Sequence, residues 1–367
     1  MNMKSMLAIA VLSCSAVARA DAVDGQSFTV DKVYQGDGVI WGFDFVRADS
    51  PDDIVFSERS GALRHLNLAT GKVSEISGAP KVYVEGQGGL MDVLVDHKTS
   101  MVYLTYAEPV GNGQATTSLF RGKLSADLRT LTGARLFQGK AVSDDHEQFG
   151  SRVAIDKDGY IFFGIGDRNQ RPKVQDLGSD FGKILRLAPD GTPPADNPYV
   201  HNAGALPEIW SVGHRNPQGL AFDAAGNLLE DEFGPRGGDE LNLIVKGANY
   251  GWPLATYGRE YYGPAIGGTS VVGTVQPLFH WVPSINPSGL MRYDGTALPG
   301  FRGNIFLAAL SGHLHRIVVD KDWNMVREDR LLENIGQRFR QVRAGPDGLI
   351  YVSTDNGAIY RIRPRLR

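Results

Sequence analysis

The amino-acid sequence predicts an all-β protein, a six-bladed β-propeller. Three observations support this fold class: a short strand pattern recurs six times, glycine is abundant, and the apolar residues lack helical periodicity. The chain has 367 residues, of which 45 are glycine, well above the average usage of about 7%. Many glycines among frequent aromatic residues indicate many short strands joined by tight turns.

The recurring pattern is a polar or glycine-containing turn, a short apolar or aromatic strand, and often a glycine-led turn into a second strand. Its six copies begin at residues 53–56, 100–104, 158–163, 225–229, 303–307 and 347–352. Their alternation is typical of half-buried hairpins, and their uneven spacing is expected when loops on one face carry insertions. Six such repeats predict a propeller with a central channel. The alternative is a pair of β-sandwich domains whose strands are similar by chance.

The N-terminus has the three parts of an export signal. Lys4 supplies a positive charge, residues 6–17 are mostly apolar, and residues 18–20 read Ala-Arg-Ala, a small-x-small cleavage site. We therefore expect residues 1–20 to be a signal peptide, residues 21–367 to form a single propeller domain, and the protein to be periplasmic or secreted. The apolar run is shorter than the roughly 20 residues of a membrane span, so we expect none. A lipid attached to Cys14 is the alternative.

Charge and cysteine content restrict the partners and the means of stabilisation. The formal net charge is -3, so we expect neither nucleic acid nor a membrane surface as a partner. Cys14 is the single cysteine, and cleavage would remove it. The mature protein would then lack disulfides, so its core or a bound metal must stabilise it.

Residues 208–253 combine polar side chains with glycine in a pattern that suits a ligand site. The turn at 234–238 reads Gly-Pro-Arg-Gly-Gly and is followed closely by Glu240. Carboxylates and free carbonyls at a turn suit a hard cation such as calcium. Upstream, Arg215 and Asn216 offer the donors that a planar anion requires. The alternative is an ordinary long turn with solvated carboxylates.

Five motifs resemble those of the soluble aldose sugar dehydrogenases, which are bacterial quinoproteins of the glucose/sorbosone dehydrogenase family. The motifs lie at residues 86–93, 149–152, 166–172, 209–253 and 338–348. The resemblance covers nearly the whole mature chain. It implies a six-bladed propeller that binds pyrroloquinoline quinone (PQQ) on its axis over a calcium ion and oxidises the anomeric carbon of an aldose sugar. The electron acceptor that follows the quinone is unknown.

The resemblance also implies which residues form the site. The matched cofactor contacts are Gln87, Arg215, Asn216, Tyr261, Ala309, Leu310, Ser311, Arg338, Phe339 and Arg340. The carbonyls of Gly234 and Pro235 match the calcium site under the quinone, and Glu240 with the Tyr250 carbonyl matches a second, structural calcium site.

The chain departs from its relatives at the general base. Relatives place a histidine four residues before the arginine that matches Arg152, and this chain has Gln148 there. An amide cannot accept a proton near neutral pH as an imidazole does. A two-residue insertion would carry His146 into the site, so we predict His146 as the base. The alternative is that Gln148 replaces the base and the activity is lost or altered.

Two further departures keep other function classes open. Ser311 replaces a lysine of the relatives, which removes a charge-assisted contact of about 1.5–3 kcal/mol to the cofactor, and Phe233 replaces a polar residue. Gln148 and Ser311 favour a periplasmic propeller that binds a ligand or protein without redox chemistry. A calcium-dependent hydrolase is a third class, but it would need several carboxylates on the axis, where the sequence supplies arginines.

Export predicts a mature protein that begins near Asp21. The tripartite N-terminus is the reason, and mass spectrometry of the protein recovered from its host measures the outcome. An intact Met1, or a lipid on Cys14, would contradict the prediction.

Overall fold

The computed structural model describes residues 20–23 and 25–365. The predicted signal peptide lies outside the described residues except for Ala20, so its cleavage stays a prediction. Three single-turn 3-10 helices occur in the described part of the chain, at Arg171–Lys173, Pro299–Phe301 and Glu333–Ile335. None of the helices described is long and apolar enough to cross a membrane.

The described residues form 25 strands in six antiparallel sheets, arranged as a six-bladed β-propeller. Two strands, β1 (Ala20–Val23) and β2 (Gln26–Gln35), precede the first blade. Blade 1 contains β3 (Ile40–Arg47), β4 (Ser50–Glu58), β5 (Leu63–Asn67) and β6 (Lys72–Ile76). Blade 2 contains β7 (Leu90–Asp96), β8 (Met101–Gly111), β9 (Gln114–Leu124) and β10 (Leu131–Gln138). Blade 3 contains β11 (Val153–Ile155), β12 (Ile161–Ile165), β13 (Lys183–Leu187) and β14 (Ile209–Val212).

The remaining three blades follow in the same chain order. Blade 4 contains β15 (Pro217–Phe222), β16 (Leu228–Glu232), β17 (Asp239–Ile244) and β18 (Phe279–Trp281). Blade 5 contains β19 (Pro287–Arg292), β20 (Ile305–Ala309), β21 (His313–Val319) and β22 (Met325–Leu331). Blade 6 contains β23 (Phe339–Ala344), β24 (Ile350–Thr354) and β25 (Ala358–Pro364).

Blade 6 closes the ring with strands from both ends of the chain. Strand β2 pairs with β25, with Val30 opposite Ile362, and β1 adds a fifth strand outside β2. Radial closure of this kind leaves only short, protected sheet edges.

The six repeats predicted from the sequence are the second strands of the six blades: β4, β8, β12, β16, β20 and β24. The glycine-led strands that follow them are third strands, such as β13 and β25. The all-β, six-bladed fold class is therefore confirmed. Apolar residues between neighbouring blades, such as Phe45 against Tyr351 across blades 1 and 6, form the buried core.

The first strand of each blade lies at the axis and contacts the first strand of the next blade, from β3 round to β23. Arg152, which precedes β11, lies among these strands. Its Nη1 pairs with Asp92 Oδ1 of blade 2 at 2.8 Å. Its other nitrogens donate to the carbonyls of Trp41, Ser288 and Arg340 in blades 1, 5 and 6. One guanidinium thus connects five of the six blades.

The Arg152–Asp92 pair is fully buried, since the two side chains are 2% and 0% exposed. Burial lowers the pKa of Arg152 to about 10 despite the neighbouring Asp92, so the guanidinium remains charged at neutral pH. Removing one partner of a buried ion pair leaves the other charge uncompensated, which is strongly destabilising.

Arg152→Met should therefore lower the free energy of unfolding by about 3–5 kcal/mol, because Asp92 would be left buried and unpaired. Urea denaturation measures the effect. The matched control is Arg47→Met, which removes an exposed pair with Asp49 and should change the midpoint little. Similar midpoints for both variants would contradict the role of the axial pair.

Candidate active site

The six axial strands run in the same direction, so their N-terminal ends meet on one face of the propeller. Two adjoining cavities open there, with volumes of about 300 and 510 Å³. They share the lining residues Gln87, Phe233, Leu310 and Arg338. Together they are called the upper axial cavity.

Most of the residues predicted to contact the cofactor line the upper axial cavity. These are Gln87, Arg215, Asn216, Tyr261, Leu310, Arg338 and Arg340. Gly234 and Pro235, predicted to hold calcium, line it as well. The fold thus brings together residues from blades 2 to 6 that lie far apart in the sequence.

Three of the predicted contacts are not among the lining residues. Ala309 and Phe339 are fully buried, and Phe339 packs into the core between blades 5 and 6. The Ser311 hydroxyl donates to the Ile285 carbonyl at 2.6 Å and lies 3.2 Å from His313 Nδ1. Their assignment as cofactor contacts stays a prediction.

Arg215 is the most buried cation of the cavity, with 7% of its surface exposed. Its Nη1 donates to the carbonyls of Phe233 and Gly234 at 3.1 and 2.8 Å. Its Nη2 lies 3.5 Å from the hydroxyl of Tyr261. Its buried Nε has no hydrogen-bond partner among the described residues. A buried donor without a partner is costly, so an acceptor in the cavity would be favourable.

Arg338 and Arg340 are held by one carboxylate, Asp355, in the turn between β24 and β25. Arg338 Nε donates to Asp355 Oδ2 at 2.8 Å, and Arg340 donates to both oxygens at 2.8 and 2.9 Å. Arg340 also lies over the Trp41 ring. Sequence reasoning missed Asp355, because Asp-Asn-Gly at 355–357 reads as an ordinary hairpin turn.

Gln148, at the position that the resemblance matched to the base of relatives, lies in the wall of the upper axial cavity. It is buried, with a positive φ of 54°, and it lines the larger part of the cavity. Its backbone N–H donates to Gln87 Oε1 at 2.9 Å, and its side-chain amide donates to Asn169. Its Oε1 is buried without a partner among the described residues.

His146 is not among the residues that line the upper axial cavity. Its side chain is half exposed and lies 3.8 Å from Glu85. Its ring stacks on Tyr83, with Nδ1 2.7 Å from the tyrosine hydroxyl. Its backbone carbonyl accepts from the N–H of Gln87 at 2.8 Å. His146 therefore lies beside the site, and its role as the base stays a prediction.

Glu147 is a titratable side chain of the cavity that sequence reasoning missed. It lines the larger part of the cavity and is exposed. Among the described residues, its carboxylate accepts from one side chain, the amide of Asn169, at 3.4 Å. Asp355, by contrast, is bound by two arginines. The carboxylate of Glu147 is therefore available as a proton acceptor.

Close backbone packing and hydrogen bonds to a buried carboxylate determine the conformation of the turn at Gly234. A Cβ at Gly234 would lie 2.2 Å from the Gly237 carbonyl oxygen, so no larger residue fits. The buried Asp239 carboxylate accepts from the N–H groups of Gly234 and Asn286 at 2.9 and 2.7 Å. Burial raises the pKa of Asp239 to about 6. Asp239 thus holds the turn whose residues Gly234 and Pro235 line the cavity.

A cluster of buried carboxylates lies behind the cavity and is called the carboxylate cluster: Glu230, Glu232 and Glu240. All three are within hydrogen-bonding reach of the Asn242 amide nitrogen, at 3.1, 3.4 and 3.4 Å. Glu232 also accepts from the backbone N–H of Arg215 at 2.5 Å. His214 joins Glu230 and Glu232 in a group whose ligand atoms lie within 4.8 Å of one another.

The predicted structural calcium residues Glu240 and Tyr250 line a small cavity beside this cluster, together with Glu232. Its volume is about 10 Å³, close to the minimum that holds one water. Burial, and then repulsion by Glu232, raise the pKa of both Glu230 and Glu240 well above the ordinary range. Such a cluster requires protons or a cation.

The fold and the site define a β-propeller with a cationic axial cavity backed by buried carboxylates. The chain matches the family model described as Glucose / Sorbosone dehydrogenase over residues 39–361. It is 41% identical over 328 residues to aldose sugar dehydrogenase YliI of Escherichia coli K12, covering 86% of this chain and 88% of that protein. The chain therefore belongs to this family of dehydrogenases, which confirms the resemblance predicted from the motifs.

Two solved structures agree with this assignment. The soluble aldose sugar dehydrogenase of Escherichia coli, in its apo-form, aligns with a TM-score of 0.88 and 38% identity over 92% of this chain and all of that chain. The PQQ-bound aldose sugar dehydrogenase of Streptomyces coelicolor aligns with a TM-score of 0.75 and 26% identity over 92% of this chain and 98% of that chain.

The carboxylate cluster predicts that the stability of the metal-free protein depends on pH. The folded pKa of Glu240 is raised above its unfolded value of 4.5, so this carboxyl stabilises the fold fully below pH 4.5. That stability is lost as the pH rises through the folded pKa. Glu240→Gln should make the melting temperature between pH 5 and 8 less pH-dependent. The control is the exposed Glu333→Gln, and identical pH profiles for both variants would contradict the prediction.

Proposed function

We propose that the chain is a periplasmic, PQQ- and calcium-dependent dehydrogenase that oxidises the anomeric carbon of aldose sugars to lactones. The observation that carries the proposal is the convergence of Arg215, Arg338 and Arg340 on one axial cavity. The PQQ-bound relative with the same fold supports it. The tripartite N-terminus supports export.

The residues of the cavity fit this quinone, which is a flat tricarboxylate. Three guanidinium groups suit its carboxylates. The aromatic side chains of Trp41, Phe149 and Phe233 supply apolar wall. When bound, the quinone supplies a two-electron acceptor for the hydride that leaves the sugar.

The protein's own residues position the reactants and neutralise charge. Asp355 accepts from Nε and Nη2 of Arg340, so this fork is ordered before any ligand binds, and it also accepts from Nε of Arg338. Arg215 has an unused buried N–H that an acceptor would satisfy. The Asn216 side chain accepts from the Gly150 N–H at 3.1 Å, which fixes its amide at the cavity wall. Ordering of this kind lowers the entropic cost of binding.

Calcium fits two places. The Gly234 carbonyl accepts a hydrogen bond from Arg215 and keeps a second lone pair for a cation. The carbonyl of the next residue, Pro235, is the second proposed ligand at this place. The small cavity at Glu240, Glu232 and Tyr250 has the size and the oxygen donors for a structural ion. Calcium there would offset the charge of the carboxylate cluster.

A second candidate function is a propeller that binds its ligand without turnover. Gln148 lines the cavity and His146 does not, and no histidine is among the described residues that line it. This observation favours binding over catalysis, and the two functions differ in whether sugar oxidation follows cofactor binding.

Reconstitution separates the two functions. The protein is titrated with calcium and PQQ by calorimetry, and then aldose-dependent reduction of a redox dye is measured. The dehydrogenase predicts saturable quinone binding and dye reduction that needs the quinone, calcium and sugar together. Quinone binding without dye reduction would support the second candidate. Failure to bind quinone would contradict the proposed function.

The identity of the base is tested by three neighbouring substitutions. If His146 is the base, His146→Ala should lower kcat by about 10²–10⁴. Gln148→Ala should cost about tenfold, because only a neutral hydrogen bond is lost. Glu147→Gln then serves as the matched control, with quinone affinity unchanged in all three. A larger loss in Glu147→Gln would transfer the role to that carboxylate, and small, equal losses would contradict proton abstraction by this loop.

A further inference from the structure

A side groove opens from the upper axial cavity. It has a volume of about 370 Å³ and is lined by Arg236, Gly237, Arg259, Gly263, Val282 and Pro283. Arg236, Gly237 and Pro283 also line the upper axial cavity. The groove is therefore continuous with the upper axial cavity, where the proposed oxidation of a sugar would take place.

Two arginines lie directly opposite each other in this groove. Arg236 and Arg259 form an isolated antiparallel bridge, with N–H···O distances of 3.1 and 3.2 Å in the two directions. Residues of such a hydrogen-bonded pair project their side chains to the same face. Both side chains are exposed, and like charges placed directly opposite across paired strands disfavour the pairing.

No acidic side chain relieves this repulsion within the described residues. Neither Arg236 nor Arg259 forms an ion pair or a side-chain hydrogen bond there. The adjacent Glu260 is bound by both terminal nitrogens of Arg171, at 2.5 and 3.1 Å. A local conflict of this kind is expected at functional positions, and an anionic ligand would remove it.

Exposed aromatic side chains lie beside the same groove. Tyr261 and Tyr262 are 67% and 82% exposed, and Tyr261 lines the upper axial cavity. Large exposed apolar surface next to a cavity marks a binding region. Flat aromatic faces pack against the C–H faces of sugar rings, and paired arginines bind carboxylates with charge-assisted hydrogen bonds.

We propose that the side groove binds the second unit of an acidic oligosaccharide whose reducing end occupies the upper axial cavity. Arg236 and Arg259 would hold the carboxylate of that second unit. This inference rests on the proposed function for the position of the reducing end, and it assigns a preference for acidic over neutral oligosaccharides.

The test compares two disaccharides, glucuronate linked to glucose and its neutral counterpart of two glucose units. Calorimetric binding is measured with the protein loaded with calcium and PQQ, and again without them. The wild-type protein should bind the acidic disaccharide at least tenfold more tightly at low salt. Arg259→Gln and Arg236→Gln should each remove most of that preference, and the exposed Arg129→Gln in blade 2 should retain it.

A ligand-free measurement accompanies the titration. Removing either arginine relieves the repulsion, so both variants should melt at a higher temperature than the wild type at low salt, and the difference should shrink at high salt. Equal binding of the two disaccharides, an unchanged preference in both arginine variants, or equally tight binding of inorganic phosphate would overturn the proposal. Dye reduction is measured separately. If no aldose supports dye reduction, the proposed function is contradicted. The preference for the acidic disaccharide tests the groove alone.

Discussion

The buried ion pair between Arg152 and Asp92 is the constraint on which the axial site depends. Arg152 bonds to four blades besides its own, and one of its acceptors is the carbonyl of Arg340, whose side chain reaches the upper axial cavity. The same loop places Gln148, Phe149 and Gly150 in the cavity wall. The pair that joins the blades therefore also sets the positions of the groups that face the ligand.

Positively and negatively charged side chains lie close together between the propeller axis and blade 4. Arginines face the upper axial cavity, and the carboxylate cluster lies behind them. Glu232 belongs to the cluster and accepts from the backbone N–H of Arg215, while the Arg215 side chain donates to the Gly234 carbonyl. A cation at the cluster would therefore act on the same segment that presents Arg215 to the upper axial cavity. Metal binding and cofactor binding are expected to be coupled through this residue.

Much of the fold and part of the site could be predicted from the sequence. The second strand of each blade could be predicted from alternating apolar and polar residues that follow a turn. The alternation arises because one face of each hairpin is buried against the next blade. Motifs in the sequence predicted that Gln87, Arg215 and Arg338 belong to the site, and all three line the upper axial cavity. Such residues can be found because glycine-rich turns and arginines next to them form recognisable local patterns. Asp355 carried no such signature, because its role depends on a turn that meets two arginines only in the closed ring.

Other features of the site were hidden from sequence for the same physical reason. Glu230, Asp231 and Glu232 are consecutive acids in β16. Such a run is typical of an exposed strand, yet every residue of β16 is buried. The resemblance to relatives suggested that an insertion carries His146 into the site, and its role as the base stays a prediction. In the folded chain, its ring pairs with Tyr83 outside the cavity lining, and Gln148 takes the wall position. Loop side-chain direction depends on tertiary partners that local sequence does not specify.

A structure determined with PQQ and calcium bound tests most directly whether the axial cavity is the cofactor site. We expect the quinone in the upper axial cavity, with its carboxylates within hydrogen-bond distance of Arg215, Arg338 or Arg340 and a calcium ion at the Gly234 carbonyl. Quinone bound elsewhere on the propeller, or an upper axial cavity that stays empty at saturating quinone, would contradict this expectation.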